Sequence, residues 1–70
     1  MSEIIIKNKL PELRARHRLT QDALASNVAV TRQTIISIEK EAYMPSLPLA
    51  MKLAAYFHLP IEEIFYFVES

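Results

Sequence analysis

Leu19-Thr20-Gln21-Asp22-Ala23-Leu24-Ala25-Ser26-Asn27-Val28-Ala29-Val30-Thr31-Arg32-Gln33-Thr34-Ile35-Ile36-Ser37-Ile38-Glu39-Lys40 is the stretch that decides the fold. Thr20 and Thr31 each stand just before a short run of helix-like apolar spacing. A threonine hydroxyl at a helix N-cap accepts a hydrogen bond from a first-turn N–H that has no partner inside the helix. Thr20 therefore predicts a helix from Gln21 to about Val28, and Thr31 one from Arg32 to about Lys40. Leu19 with Leu24, and Val30 with Ile35, have the spacing of hydrophobic staples across the two caps. Ala23 stands where a capping-box acid would be, but Asp22 still places negative charge at the positive end of the helix dipole. Only Ala29 and Val30 separate the first of these helices from the second cap, so residues 20 to 40 read as a helix-turn-helix unit.

The side chains fit that unit. Leu24, Val28, Val30, Ile35 and Ile38 are the apolar positions that clasp the two helices, with Ala25 small at their crossing and Ala42 expected to point inward beyond the second. Ala29 holds a turn position where φ can be positive, at a cost of up to about 1 kcal/mol for a residue with a Cβ. Gln33, Ile36, Ser37 and Lys40 follow helical spacing on the opposite, outer face, flanked by Arg32. That face suits the major groove of double-stranded DNA. Gln33 can bind adenine N6 and N7, Arg32 can take a guanine or a phosphate, Ser37 can donate or accept, Ile36 can meet a thymine methyl, and Lys40 suits a phosphate. Any one of these residues is ordinary solvated surface; the set carries the reading.

Outward from the centre, Asn8 caps a first helix to about Arg16 or His17, with Pro11 tolerated in its first turn and Leu10, Leu13 and His17 on its inner face. Ser46 caps a fourth helix, Leu47 to about Phe57, with Leu47, Ala50, Leu53, Ala54 and Phe57 as its apolar stripe. Pro60 opens a fifth short helix through Phe65. Ile4-Ile5-Ile6 and Tyr66-Phe67-Val68 read as strands, and two such tails around a helical centre predict an antiparallel pair. The expected fold is mainly α, with five helices and one small sheet.

Seventy residues make a single domain, residues 1–70, whose core is marginal. There is no cysteine to form a disulfide, and His17 and His58 have no neighbouring ligands for a structural zinc. Half of the residues are hydrophobic, so the chain is a folded globule, and dimerisation is an available source of further stability. No apolar run approaches the roughly 18 residues of a membrane span, and Ile4-Ile5-Ile6 is too short for a signal-peptide core, so the expected location is cytoplasmic with no membrane partner. Net charge is zero, but residues 1–40 carry +3 and residues 41–70 carry −3. Such a dipolar chain can turn one face towards phosphates.

Nothing in the sequence supports catalysis. It has no Gly-rich phosphate loop and no cluster of metal ligands, and no cofactor, metal or small-molecule ligand is expected. Glu62-Glu63 read as favourable first-turn charges, and Tyr56, Phe57, Phe65, Tyr66 and Phe67 as core and dimer surface. Leu59, Pro60, Ile61, Ile64 and Phe65 form an apolar cluster too large for one six-residue helix to turn inward, which marks them as a candidate homodimer interface. The rival reading is a protein-interaction module, such as an antitoxin subunit, with weak DNA binding.

Leu19-Thr20-Gln21, Leu24-Ala25, Val30-Thr31-Arg32-Gln33-Thr34-Ile35, Ile38-Glu39, Tyr43-Met44-Pro45-Ser46-Leu47, Ala50-Met51-Lys52-Leu53-Ala54 and Pro60-Ile61-Glu62-Glu63-Ile64-Phe65 resemble the Cro/C1, or xenobiotic-response-element, family of transcriptional regulators. The resemblance runs from about residue 7 to residue 67 and is closest to very short stand-alone members. It implies a five-helix, lambda-repressor-like domain, a sheet joining the two ends, and a dimer built on the C-terminal helix. It further implies that Gln21 and Thr31 hold phosphates at helix N-termini, that Arg32, Gln33 and Ser37 face bases with Thr34 and Ile36 beside them, and that Lys40 and Tyr43 hold the DNA backbone. Ile36, Glu41-Ala42 and His58 depart from the family pattern, the last two where relatives often carry Gly or Asn. The implied function is that of a homodimeric repressor reading a near-palindromic operator.

Overall fold

The computed structural model describes residues 4–69. Strand β1 (Ile4–Asn8) leads into helices α1 (Leu10–Arg16), α2 (Gln21–Asn27), α3 (Arg32–Glu39) and α4 (Leu47–Phe57), then a 3₁₀ turn (Ile61–Glu63) and strand β2 (Phe65–Glu69). The two strands pair antiparallel, with Ile6 opposite Phe67 and Asn8 opposite Phe65. Three caps act as the sequence predicts: Thr20 accepts from the Ala23 N–H, Thr31 from Thr34 and Ser46 from Leu49. Asn8 accepts from the Leu10 N–H at 3.1 Å while its amide donates to the Ile38 carbonyl at 2.9 Å. The N-cap of α1 is Lys9, not Asn8 as expected, because α1 begins at Leu10; Asn8, one residue earlier, ties the start of α1 to the end of α3.

The core is formed by Leu10 and Leu13 of α1, Leu24, Ala25 and Val28 of α2, Ile35 and Ile38 of α3, Leu49, Leu53 and Phe57 of α4, and Ile64. Several expectations need correction. The fifth helix is a single 3₁₀ turn, because the chain must be extended by Phe65 to pair with β1, and the Ile64 carbonyl accepts from the Lys9 N–H at 2.9 Å. That geometry drives Ile64 inward: it is fully buried in its own protomer's core and is not interface surface. On α4 the buried stripe is Leu49, Ala50, Leu53 and Phe57, whereas Leu47 is 69% exposed. His17 is exposed, with its ring 5.3 Å from that of Phe57. Ala42 is exposed too, because α3 stops at Glu39 and the chain has already turned.

The chain contains no glycine, yet all four helices end through a left-handed residue: Arg18, Ala29, Glu41 and His58 have φ of 56°, 60°, 64° and 57°. The residue after each one donates back across five residues, Leu19 to Arg14, Val30 to Ala25, Ala42 to Ser37 and Leu59 to Ala54, at 2.8–3.0 Å. These are Schellman closures, which satisfy carbonyls the helix ends would leave open. Leu19, Val30 and Leu59 then fold against the core, anchoring three of the four turns. A Cβ in this conformation costs about 1 kcal/mol or more per residue.

An ion pair locks the helices together. Arg14 Nε and Nη2 donate to the two carboxylate oxygens of Glu39 at 2.6 and 3.0 Å. Arg14 Nη1 donates to the Leu19 carbonyl at 3.1 Å, and Gln21 Nε2 to Glu39 Oε1 at 3.1 Å. The Glu39 side chain is only 8% exposed. Its hydrogen bond raises the Arg14 guanidinium above its ordinary value against a smaller lowering by burial, so Arg14 stays charged at all working pH.

Two stability predictions follow from these features. Ala29→Gly removes a left-handed Cβ and should stabilise the fold by about 0.5–1 kcal/mol, after the extra unfolded-state entropy of glycine is subtracted. Thermal melts should show this as a rise of several degrees, and an unchanged or lower midpoint would contradict the strain account. Glu39→Ala removes the carboxylate partner of part-buried Arg14, which keeps its bond to the Leu19 carbonyl, and should cost about 1.5–3 kcal/mol. In a double-mutant cycle with Arg14→Ala, a coupling below about 0.5 kcal/mol would show that the pair does not act as a unit.

Candidate nucleic-acid interface

The site is built on α3, which is held on its inner side by Ile35 and Ile38, both essentially fully buried. Leu24 of α2, also fully buried, packs in the same core, so α3 cannot roll without opening it. Arg32, Gln33 and Lys40 are exposed on the other side, with Ile36 and Ser37 half-buried between them. The helical spacing read from the sequence is therefore realised as one outward face.

Polar contacts organise this face further. Gln33 Nε2 donates to Ser37 Oγ one turn on, at 3.3 Å. The hydroxyls of Thr31 and Thr34 lie 3.0 Å apart, so Thr31 is committed both to its cap and to Thr34. Thr31, Gln33, Thr34 and Ser37 line an open depression whose far wall is Ala42 and Tyr43, the latter 48% exposed. Tyr43 thus stands beside the outward face of α3 although it lies beyond the end of that helix.

A second open concavity runs along the start of α2, lined by Arg14, Thr20, Gln21, Asp22 and Arg32. Gln21 is here, but one of its amide hydrogens is taken by Glu39, leaving the other for an incoming acceptor. Arg32 belongs to this concavity, which sets it apart from Gln33 and Ser37. Lys40 is the C-cap of α3 and lines neither depression.

Reasoning from the sequence missed two partnerships. Arg14 and Glu39 are 25 residues apart, and no local spacing rule connects them. Lys7 Nζ lies 3.4 Å from Glu41 Oε1, so the acidic residue after α3 meets a lysine of β1. Among the proposed interface residues, Leu59 and Phe65 pack partly against the core, Ile61 is half-buried, and Pro60 is exposed. The large apolar side chains most open to water are instead Leu47, Met44, Phe67 and Met51.

A model of the helix-turn-helix family matches residues 12–64, from within α1 through the 3₁₀ turn. A helix-turn-helix-type transcriptional regulator of Methanocaldococcus jannaschii is 55% identical over 65 residues, 93% of this chain and 98% of the relative. One from Bacillus subtilis is 47% identical over 65 residues, with the same shares of both chains. The transcriptional repressor RstR of the cryptic phage CTXphi, from Vibrio cholerae, is 30% identical over 60 residues, 86% of this chain and 54% of that protein. With the family match spanning most of its length and relatives this similar end to end, the chain belongs to the Cro/C1-type helix-turn-helix family of transcriptional regulators.

Proposed function

We propose that the protein represses transcription by binding a near-palindromic operator in double-stranded DNA as a homodimer, with α3 in the major groove. The observation that carries this reading is the outward face of α3. Exposed Gln33, Arg32 and Lys40 and half-buried Ser37 stand on a helix whose opposite side is sealed into the core. In the groove, Gln33 and Ser37 face base edges, and Ile36 offers apolar surface to a thymine methyl. Arg32 and the remaining Gln21 N–H meet phosphates at the start of α2, and Lys40 and Tyr43 meet them past the end of α3. Thr31 and Thr34 line the edge between the two regions. Repression is the role named for the Vibrio cholerae relative. This role places the protein with the DNA, in the cytoplasm if its source is prokaryotic like the organisms of its relatives, and among the described residues no helix is long and apolar enough to cross a membrane.

Dimerisation is supported by the apolar surface that the fold leaves in water. Phe67 is 64% exposed and pairs with Ile6, which shares a cleft with Met44 and Phe65. The apolar side chains this reading assigns to the dimer surface are exposed Phe67 and Met44, together with exposed Pro60 and half-buried Ile61. Burying one Phe side chain contributes about 1.5–3 kcal/mol. A two-fold axis would set two copies of α3 in successive major grooves, about 34–36 Å apart.

Selection from a randomised duplex library, followed by gel shift, tests the whole reading. Gln33→Ala should lose about 1–3 kcal/mol on the selected site and relax one base pair. Lys40→Ala should weaken all sequences evenly and lower the salt slope by about one. A folded protein that enriches no sequence would be an interaction module instead. For the dimer, Phe67→Asp changes an exposed side chain and should leave the circular dichroism spectrum intact. Sedimentation equilibrium should then show a monomer, and specific binding should fall. A wild-type protein that is monomeric at micromolar concentration yet binds its operator tightly would refute the dimer.

A further inference from the structure

We propose that Glu41 is an electrostatic brake that lowers the sequence-independent affinity of the protein for DNA, both by its own charge and by holding Lys7; this rests on the reading of α3 as the groove helix. Of the left-handed residues that end the helices, Arg18 is a cation, Ala29 is neutral and His58 is an imidazole. Glu41 alone sets a negative charge at the negative end of a helix dipole. It also carries a Cβ at φ 64°, and the residue after it, Ala42, is exposed, whereas Leu19, Val30 and Leu59 fold against the core. Its ion pair with Lys7 spans 3.4 Å between side chains 35% and 41% exposed, and exposed pairs of this kind add little. Folding thus gives no reason for an anion at this turn.

Its location supplies one. Glu41 directly follows Lys40, and it lines a cleft with Tyr43. On the proposed reading both of these neighbours meet phosphates. Consecutive Cα atoms are about 3.8 Å apart, and the screening length in physiological salt is about 8 Å. A charge at Glu41 is therefore felt by phosphates docked at its neighbours, and it repels them. Lys7 Nζ lies against the same carboxylate, so a phosphate approaching that point would be within reach of Lys7 as well. With Glu41 in place this cation is occupied; without it, Lys7 becomes one more phosphate ligand in each protomer. Both effects act on the DNA backbone, which carries no sequence information. They weaken operator and random duplex alike, so the protein stays free of bulk DNA unless base-edge contacts add to its binding.

The test titrates the full chain and its Glu41→Gln, Glu41→Gly and Lys7→Ala variants with a random-sequence duplex and with the duplex selected from the library, across salt concentrations. Glu41→Gln and Glu41→Gly both remove the charge but differ in backbone preference, so an equal effect separates charge from turn strain. Each should tighten binding to both duplexes by about fivefold for each protomer at low salt and steepen the salt slope by about 0.9 per protomer. The advantage over wild type should then shrink about 3.5-fold per protomer between about 50 and 200 mM salt. Base preference at every position of the selected site should stay as it is. Lys7→Ala alone should leave the slope nearly unchanged, whereas in the Glu41→Gln background it should remove the added slope. An unchanged slope in both Glu41 variants, in a protein that still selects an operator, would overturn the brake and leave α3 as the reading helix. Lys7→Ala weakening the wild type as much as it weakens Glu41→Gln would also overturn the proposal, because Lys7 would then already be serving DNA. So would tighter binding that follows tighter dimerisation in sedimentation equilibrium at an unchanged slope. If neither the wild type nor any variant binds a duplex, the DNA reading itself fails, and the brake with it.

Discussion

Glu39 is the last residue of α3, and its carboxylate is the point on which the placement of that helix depends. It accepts from two nitrogens of Arg14 and from the amide of Gln21, while Arg14 reaches on to the Leu19 carbonyl. One ion pair therefore touches α1, the turn after it, the first residue of α2 and the last residue of α3. A pair this buried is not superior to a well-packed apolar substitute in net stability. Its distinctive effect is directional. An apolar contact tolerates sliding, whereas a bidentate guanidinium–carboxylate pair fixes distance and angle together. On the proposed reading, α3 would have to present Gln33 and Ser37 within hydrogen-bond tolerance of a base edge, and a directional lock between the helices meets that requirement.

The turns show how a chain without glycine meets the same demand. Each helix ends by the same closure, and each places a left-handed residue where glycine would be free of strain. The penalty is distributed over Arg18, Ala29, Glu41 and His58, and it is offset by recovered hydrogen bonds and by core burial of Leu19, Val30 and Leu59. Such turns are short and stiff. The arrangement suits a small domain with a marginal core, because rigid turns limit the entropy that the folded state must overcome.

What was legible in the sequence was local. Thr20, Thr31 and Ser46 accept from the N–H three residues on, a relation visible in a string, and the starts of α2, α3 and α4 are where those caps place them. The outer face of α3 followed from helical spacing alone. The errors arose where a local rule met a distant partner. Leu47 and Leu49 both fit the period set by Ala50, Leu53 and Phe57, and only the packed core distinguishes them. Ile61 to Phe65 has the composition of a helix, but pairing of Phe65 with Asn8, almost sixty residues earlier, pulls the chain straight. Ile64 then changes from expected surface to core. Arg14 and Glu39 are individually ordinary, and nothing in their neighbourhoods says that they meet.

The zero net charge can be placed once the fold is known. Arg14 is occupied by Glu39 and Lys7 lies against Glu41, so neither cation is available to DNA unpaired. Exposed Arg32 and Lys40 remain beside the outward face of α3, whereas Glu62 and Glu63 lie in the 3₁₀ turn, where Glu63 lines a groove with Glu12 and Arg16 of α1. Each phosphate neutralised adds about −0.9 to the dependence of log affinity on log salt. On the proposed reading, a protomer with only Arg32 and Lys40 exposed beside α3 would gain little from the phosphate backbone, and its affinity would come from base edges and from a second protomer. The ratio of specific to non-specific affinity would then rest on α3 and on the proposed dimer more than on charge.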